Sequence, residues 1–317
     1  VPSPMPVRLL PLTERPARLL LEGIVDYAGL FPPAGLGMTK AVRNFAHYRA
    51  GGTGWMLGRF VCPAARLPEF SAAADPLLPR DAGAIPWRLT VTGSGHVEAD
   101  LEAIRAFNER HRVCFDECGA TADSYEVRVS SVEEIVALHH QLPTTLTTWM
   151  EVPLDEQCGQ YVETIARTGR RAKMRAGGVT PEAFPTSAGI VTFLRALLTC
   201  NVVAKATAGL HHPVRGAYRL TYEPDAPTCR MFGFLNVLLA AAVMADGARD
   251  VVAQQVLEES DPAALQVNDT HLTWHGPDDT LTMTRATLQQ VRERMIASIG
   301  SCSFTEPVDE SRTLGWV

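Results

Sequence analysis

Short apolar runs rich in β-formers alternate with amphipathic helical stretches along nearly the whole chain, and that alternation limits the fold more than any other feature. The strand-like runs fall at 24–28, 56–62, 87–92, 125–129, 146–152, 172–176 and 202–206, with a less regular one at 265–267 or 271–274. Helical patterns fill the intervals at 39–50, 96–110, 132–141, 156–168, 185–198 and 231–244. A helix between two strands returns the chain in the same direction, so the sheet is expected to be parallel. Seven or eight such units suit a (β/α)8 TIM-like barrel better than an open doubly wound sheet, because no glycine-rich phosphate loop follows the first strand. Gly51, Gly52 and Gly54 precede a strand instead and read as a helix terminator.

The expected organisation is an N-terminal extension over 1–22, one α/β barrel domain over 23–300, and a C-terminal tail over 301–317. The last quarter is the irregular part. It reads as an extra helix at 250–259, a hairpin at 268–283 around Gly276 and Pro277, and an amphipathic helix at 285–299 that ends at Gly300. A proline-bearing loop at 213–227 is long enough, and on the right side of the strand ends, to serve as a lid.

With 46% hydrophobic and 20% charged residues the chain can bury a full core, and its formal charge of −6 argues against a nucleic-acid partner. Seven scattered cysteines, an odd number, read as reduced thiols in a cytoplasmic protein; Cys114 and Cys118 form the only close pair, read as part of a loop. No run approaches the roughly 18 uninterrupted apolar residues that a membrane span needs, and the first residues lack the basic-then-apolar pattern of a secretion signal. The longest apolar run, Phe232 to Met244, is expected to be a buried helix, and it is also a candidate surface for a homo-oligomer.

Function is expected where charge falls on strands. Side chains two apart share a face of a strand, and a barrel interior is normally filled by branched apolar residues except near the C-terminal rim. Here Lys173 shares a face with Arg175, Glu126 with Arg128, Glu151 with Thr147 and Trp149, and Lys205 with Thr207, while Arg59 and Arg88 stand on earlier strands. A buried lysine is costly to keep charged, so two of them on successive strands point to chemistry that uses their amines. Lys173, Lys205 and Glu151 are the candidate catalytic groups, with His211 or His212 as a further proton carrier. Arg59, Arg128, Arg175, Arg215, Thr207, Glu126 and Tyr27 are candidates to bind substrate. For Tyr27 the neighbouring Asp26 is the competing choice, since only one of the two can face the lumen. The excess of basic over acidic strand residues makes a small anionic metabolite the expected ligand.

The order of features from Lys173 to Arg215 resembles class I aldolases of the deoxyribose-phosphate aldolase type. Those are α/β barrels with a Schiff-base lysine on the sixth strand, in a Lys-Thr-Ser-Thr-Gly context, and a second lysine on the seventh. By order the resemblance implies Lys173 as the imine-forming residue and Lys205 as the cation that lowers its pKa. By local string the roles are exchanged, since Lys205, Ala206, Thr207, Ala208 and Gly209 are closer to the nucleophile motif. The implied activity is a carbon–carbon lyase that works without a cofactor. Two other readings stay open: an enolate-forming enzyme, with a divalent metal held by Glu126 and Glu151, and a catalytically silent barrel that binds an anion.

Overall fold

The computed structural model of the chain describes residues 15–81, 83–114 and 117–317, with 113, 114, 117 and 118 described by backbone alone. Eight parallel strands close into a barrel: β1 (Val25–Tyr27), β2 (Leu57–Pro63), β3 (Trp87–Thr92), β4 (Ala120–Arg128), β5 (Thr147–Glu151), β6 (Arg171–Arg175), β7 (Ala204–Thr207) and β8 (Ile296–Ser301). Each pairs with its neighbours in sequence order, and β8 returns to β1 through Val25 with Ile299, Asp26 with Gly300 and Tyr27 with Ser301. The expected (β/α)8 barrel is the observed fold.

Period-2 alternation sorts the strand residues. Phe60 and Cys62 on β2, Trp87, Leu89 and Val91 on β3, and Ala172 and Met174 on β6 are buried in the hydrophobic core with the surrounding helices. Their alternates turn into the lumen. The helix Ser187–Cys200 shows how the connections are bounded: Thr186 caps its start by accepting from the amide of Gly189, and Asn201 ends it in the left-handed region at φ 52.

Three expectations need correction. The eighth strand lies in what reads as the end of an amphipathic helix: that helix stops at Arg294, and Ile296–Ser301 crosses the barrel instead. The segments 265–267 and 271–275, considered for the eighth strand, belong to a separate antiparallel sheet with Thr280–Thr284. The C-terminal residues are not a tail but carry a helix, Thr305–Thr313, which buries Pro307, Val308 and Ser311.

The apolar helix runs Phe234–Ala245 and is buried inside the chain through Met244, leaving it no free face for a second copy. Asn236, its single polar interior residue, donates to the carbonyls of Val256 and Glu259 and accepts from the amide of Arg215. Its role is to hold the neighbouring chain, since all those backbone groups lie in or beside the barrel's last helices. By length and composition Pro181–Cys200 is apolar enough to cross a membrane, contrary to expectation. Here it is a 3-10 turn at Pro181–Ala183 followed, after Phe184 and Pro185, by the barrel helix Ser187–Cys200.

The loop expected to act as a lid folds partly as an antiparallel pair, Gly216–Arg219 with Thr228–Met231. Between those strands the Tyr222 hydroxyl donates to Glu306 at 3.1 Å, tying the excursion to the C-terminal helix.

Candidate functional site

One rung of the barrel is polar from strand to strand. Arg128, Glu151, Lys173, Lys205 and Ser298 are successive register partners across β4, β5, β6, β7 and β8. Because all five lie on inward faces near the C-terminal half, their side chains converge. Lys173 Nζ lies 2.7 Å from Glu126 Oε2 and 2.7 Å from Glu151 Oε2. Lys205 Nζ lies 2.6 Å from the other oxygen of Glu126, Oε1, and 2.6 Å from Asp26 Oδ2. Glu126 thus joins the two lysines, and Asp26 extends the chain of charges to β1.

Asp26 is held on its remaining sides by the hydroxyl of Ser298 at 2.9 Å and the backbone amide of Arg59 at 2.8 Å. Trp149 lies beneath the network, its indole N–H donating to Ser124 Oγ at 2.8 Å and its ring 5.8 Å from Lys205 Nζ. These contacts settle the electrostatics. Burial by itself would lower the pKa of Lys205, but Asp26 and Glu126 more than offset it and raise it. Burial would raise Glu126, and the two lysines instead hold it down at about 2. Burial likewise opposes ionisation of Glu151, but Lys173, Arg175 and Arg128 keep its pKa low.

The two lysines differ in access. Lys205 has no exposed surface, whereas Lys173 is 7% exposed and lines a cavity of about 760 Å³ at the C-terminal ends of the strands. Glu126, Glu151, Arg128, Arg175 and Thr207 line the same cavity. After β7 the chain turns through two consecutive left-handed residues, Ala208 at φ 63 and Gly209 at φ 67. Such a turn is costly for a residue with a Cβ, and it brings His211 back to the cavity wall. His211 Nδ1 meets Ser301 Oγ at 3.0 Å, and burial, with the neighbouring His212, pushes its pKa down to about 4.

The structure therefore brings together Lys173, Lys205, Glu126, Glu151, Arg128, Arg175, Thr207 and His211. It does not bring in four others. Tyr27 faces outward and packs on Phe45, Tyr48 and Phe60, while Asp26 takes the inward place. Arg59 faces the lumen but sits early on β2, where it pairs with Asp123 at 2.8 Å beside Arg88, away from the cavity. His212 stacks on Tyr218 and meets Glu310 at 2.7 Å. Arg215 donates to the carbonyl of Glu258 and lies over the Phe232 ring.

Sequence reasoning passed over Ser298 because its strand was read as helix. It also missed Cys302, which lines the cavity 3.7 Å from His211 Nδ1. Cys62, Cys158, Cys200, Cys229 and Cys302 are free thiols, and the side chains of Cys114 and Cys118 lie outside the described residues. Among the described residues no group of three or more His, Cys, Asp or Glu side chains is arranged to hold a metal. Glu126 and Glu151, the carboxylates considered for that role, both point at Lys173.

Fold and site together define a (β/α)8 barrel whose lumen is spanned by a lysine–carboxylate network beneath an open cavity. No family model matches the sequence, and no curated protein is detectably similar to it.

Proposed function

We propose that the chain is a lysine-dependent carbon–carbon lyase of the aldolase kind, acting on a small anionic carbonyl compound through an imine on Lys173. The observation that carries this reading is the placement of Lys173: its amine reaches the cavity, with a carboxylate oxygen 2.7 Å away on each of two sides. The same arrangement supports the resemblance to class I aldolases by order, with Lys173 as nucleophile and Lys205 as the fixed buried cation.

An amine attacks a carbonyl only after losing its proton, and Glu151, which contacts Lys173 but not Lys205, is in place to receive it. The carbinolamine that forms needs a proton on its oxygen to leave as water, and the same carboxylate returns it. As the substrate hydroxyl beside the breaking bond gives its proton to Glu151, its carbon leaves as a carbonyl, the first product, and the iminium takes the electron pair of the carbon–carbon bond to become an enamine. Protonation of the enamine and hydrolysis of the imine release the second product and restore the amine. Lys205 keeps its charge through this cycle, because Asp26 and Glu126 hold it. His211, neutral at ordinary pH, is the further candidate to move a proton at the cavity wall.

Borohydride reduction in the presence of small aldehydes and oxo acids tests the reading. The expected result is a covalent adduct mapped to Lys173 and absent from Lys173→Ala. An adduct on Lys205, or none across the panel, overturns it. Turnover without any adduct would instead favour the enolate reading.

A further inference from the structure

We infer that the substrate's anion is a carboxylate seated on Arg128 and Arg175, and that it carries an apolar chain into a second cavity beyond them. This deepens the proposed function by naming a substrate class, an oxo acid with an apolar substituent, and it rests on that reading only for which end meets Lys173.

The second cavity, about 550 Å³, shares Arg128, Glu151 and Arg175 with the one over Lys173. Its remaining wall is apolar at Val152, Pro153, Leu154, Phe184 and Pro185 and carries one carboxylate, Glu182. A ligand that enters both cavities must therefore pass the two arginines. Their geometry leaves them free to bind it. Arg128 Nε and Arg175 Nε both approach the same oxygen of Glu151, at 3.1 and 3.2 Å, while the other oxygen faces Lys173. Among the described residues the terminal nitrogens of these two guanidiniums have no protein acceptor. Each fork can thus present donors to a planar anion.

The local charge indicates which anion. Asp26, Glu126 and Glu151 face Lys173, Lys205, Arg128 and Arg175, and Glu134 and Glu182 stand in the walls of the two cavities, so the site carries no surplus of positive charge. That balance suits a monoanion, a carboxylate, better than the dianion of a phosphate monoester. The apolar wall is also fixed in place. Phe184 lies against Gly177 and Gly209; a Cβ on Gly209 would come within 2.8 Å of its ring, so the two glycines that follow β6 and β7 make room for it. A buried methylene leaving water for such a wall tightens binding about fourfold.

Calorimetric titration of the full chain with acetate, butanoate, hexanoate and octanoate tests the inference, because none of these acids offers a carbonyl that forms an imine. Affinity is expected to rise about threefold to fourfold per methylene. Arg128→Ala, at a side chain 76% exposed, is expected to weaken every acid by about tenfold. Leu154→Trp, which fills the second cavity, is expected to flatten the dependence on chain length. Affinity that does not change with chain length, or an Arg128→Ala variant that binds hexanoate as the parent does, overturns the inference. Hexyl phosphate binding more tightly than hexanoate overturns the assignment of a carboxylate. A failed borohydride experiment beside a normal chain-length series would reject the imine and leave this site standing.

Discussion

Lys173 and Lys205 are register partners on adjacent parallel strands, and the carboxylate of Glu126 contacts both, Oε2 at 2.7 Å from the first and Oε1 at 2.6 Å from the second. Two ammonium groups on neighbouring buried strands repel each other at short range, so the carboxylate between them is a condition of the fold as well as of the chemistry. The same contact explains why the two amines are unequal: Lys205 has Asp26 as a second partner deep in the lumen, while Lys173 has Glu151 at the cavity.

Glu126→Gln keeps the volume and removes the charge, leaving both lysines short of a partner. Breaking a buried ion pair in this way costs about 3 kcal/mol. Since the folded-state pKa of Glu126 is lowered from 4.5 to about 2, its contribution is fully present above 4.5 and is lost as pH falls through about 2. Urea unfolding at a series of pH values should show a lower midpoint for the variant at pH 7 and a flatter acid limb between 4.5 and 2. An unchanged midpoint and acid limb would mean that Glu126 does not hold the lysines as described.

His211 occupies a separate window. Burial, with the charge of His212, lowers its folded pKa from 6.5 to about 4, so the unfolded chain binds the proton first. The neutral ring contributes fully above pH 6.5, and the contribution, about 3 kcal/mol from a shift of this size, disappears as pH falls through about 4. His211→Gln should therefore reduce the slope of stability against pH in that interval. An NMR titration placing the His211 midpoint near 6.5 would contradict the assignment.

How far the sequence discloses this site depends on what alternation can report. It gives the face of a strand residue, and on that basis Lys173, Arg175, Glu126, Arg128, Glu151 and Lys205 all turn inward together. It does not give height along the barrel. Arg59 has the right face but lies early on β2, beside Asp123, so its charge serves the opposite end of the lumen. Nor does alternation choose between adjacent residues when both are polar, as with Asp26 and Tyr27; the aromatic ring goes outward because Phe45, Tyr48 and Phe60 offer it a packed surface. The eighth strand was illegible for a different reason. Only Met295 separates Arg294 from Ile296, without a turn signal, and two of the strand's residues are small: Ser298, which donates to Asp26, and Gly300, where a Cβ would come within 3.0 Å of Thr207 Cγ2.

Gly209 and Gly315 make a matched pair for testing the wall of the second cavity. Both have positive φ, 67 and 75, but a Cβ on Gly209 would meet Phe184 at 2.8 Å, whereas one on Gly315 meets nothing within 4 Å. Gly315→Ala should cost only the backbone term, about 1 kcal/mol. Gly209→Ala adds displacement of the Phe184 ring and of the Gly177 backbone, whose Cα the new Cβ would meet at 2.9 Å, for about 2 to 4 kcal/mol in all. Thermal denaturation of the two variants compares them directly, and equal losses would show that Phe184 and the Gly177 backbone do not pack against Gly209 as described.

Asp26 and Tyr27 are adjacent in sequence and opposite in orientation, which gives a sharp test of which face carries the chemistry. Asp26→Asn removes the negative charge 2.6 Å from Lys205 and weakens the acceptor for Ser298, at a cost of about 3 kcal/mol. It should also slow borohydride trapping on Lys173, because Lys205 is left with Glu126 as its only anion and draws that carboxylate away from Lys173. Tyr27→Phe loses a single long contact, the donation from Asn44 Nδ2 at 3.4 Å, and keeps the ring among its aromatic neighbours, so it should cost under about 1 kcal/mol. Trapping should proceed in that variant at the parent rate. The two measurements, unfolding free energy and adduct formation, are expected to rank the variants in the same order; a reversed order would place Tyr27, not Asp26, in the lumen.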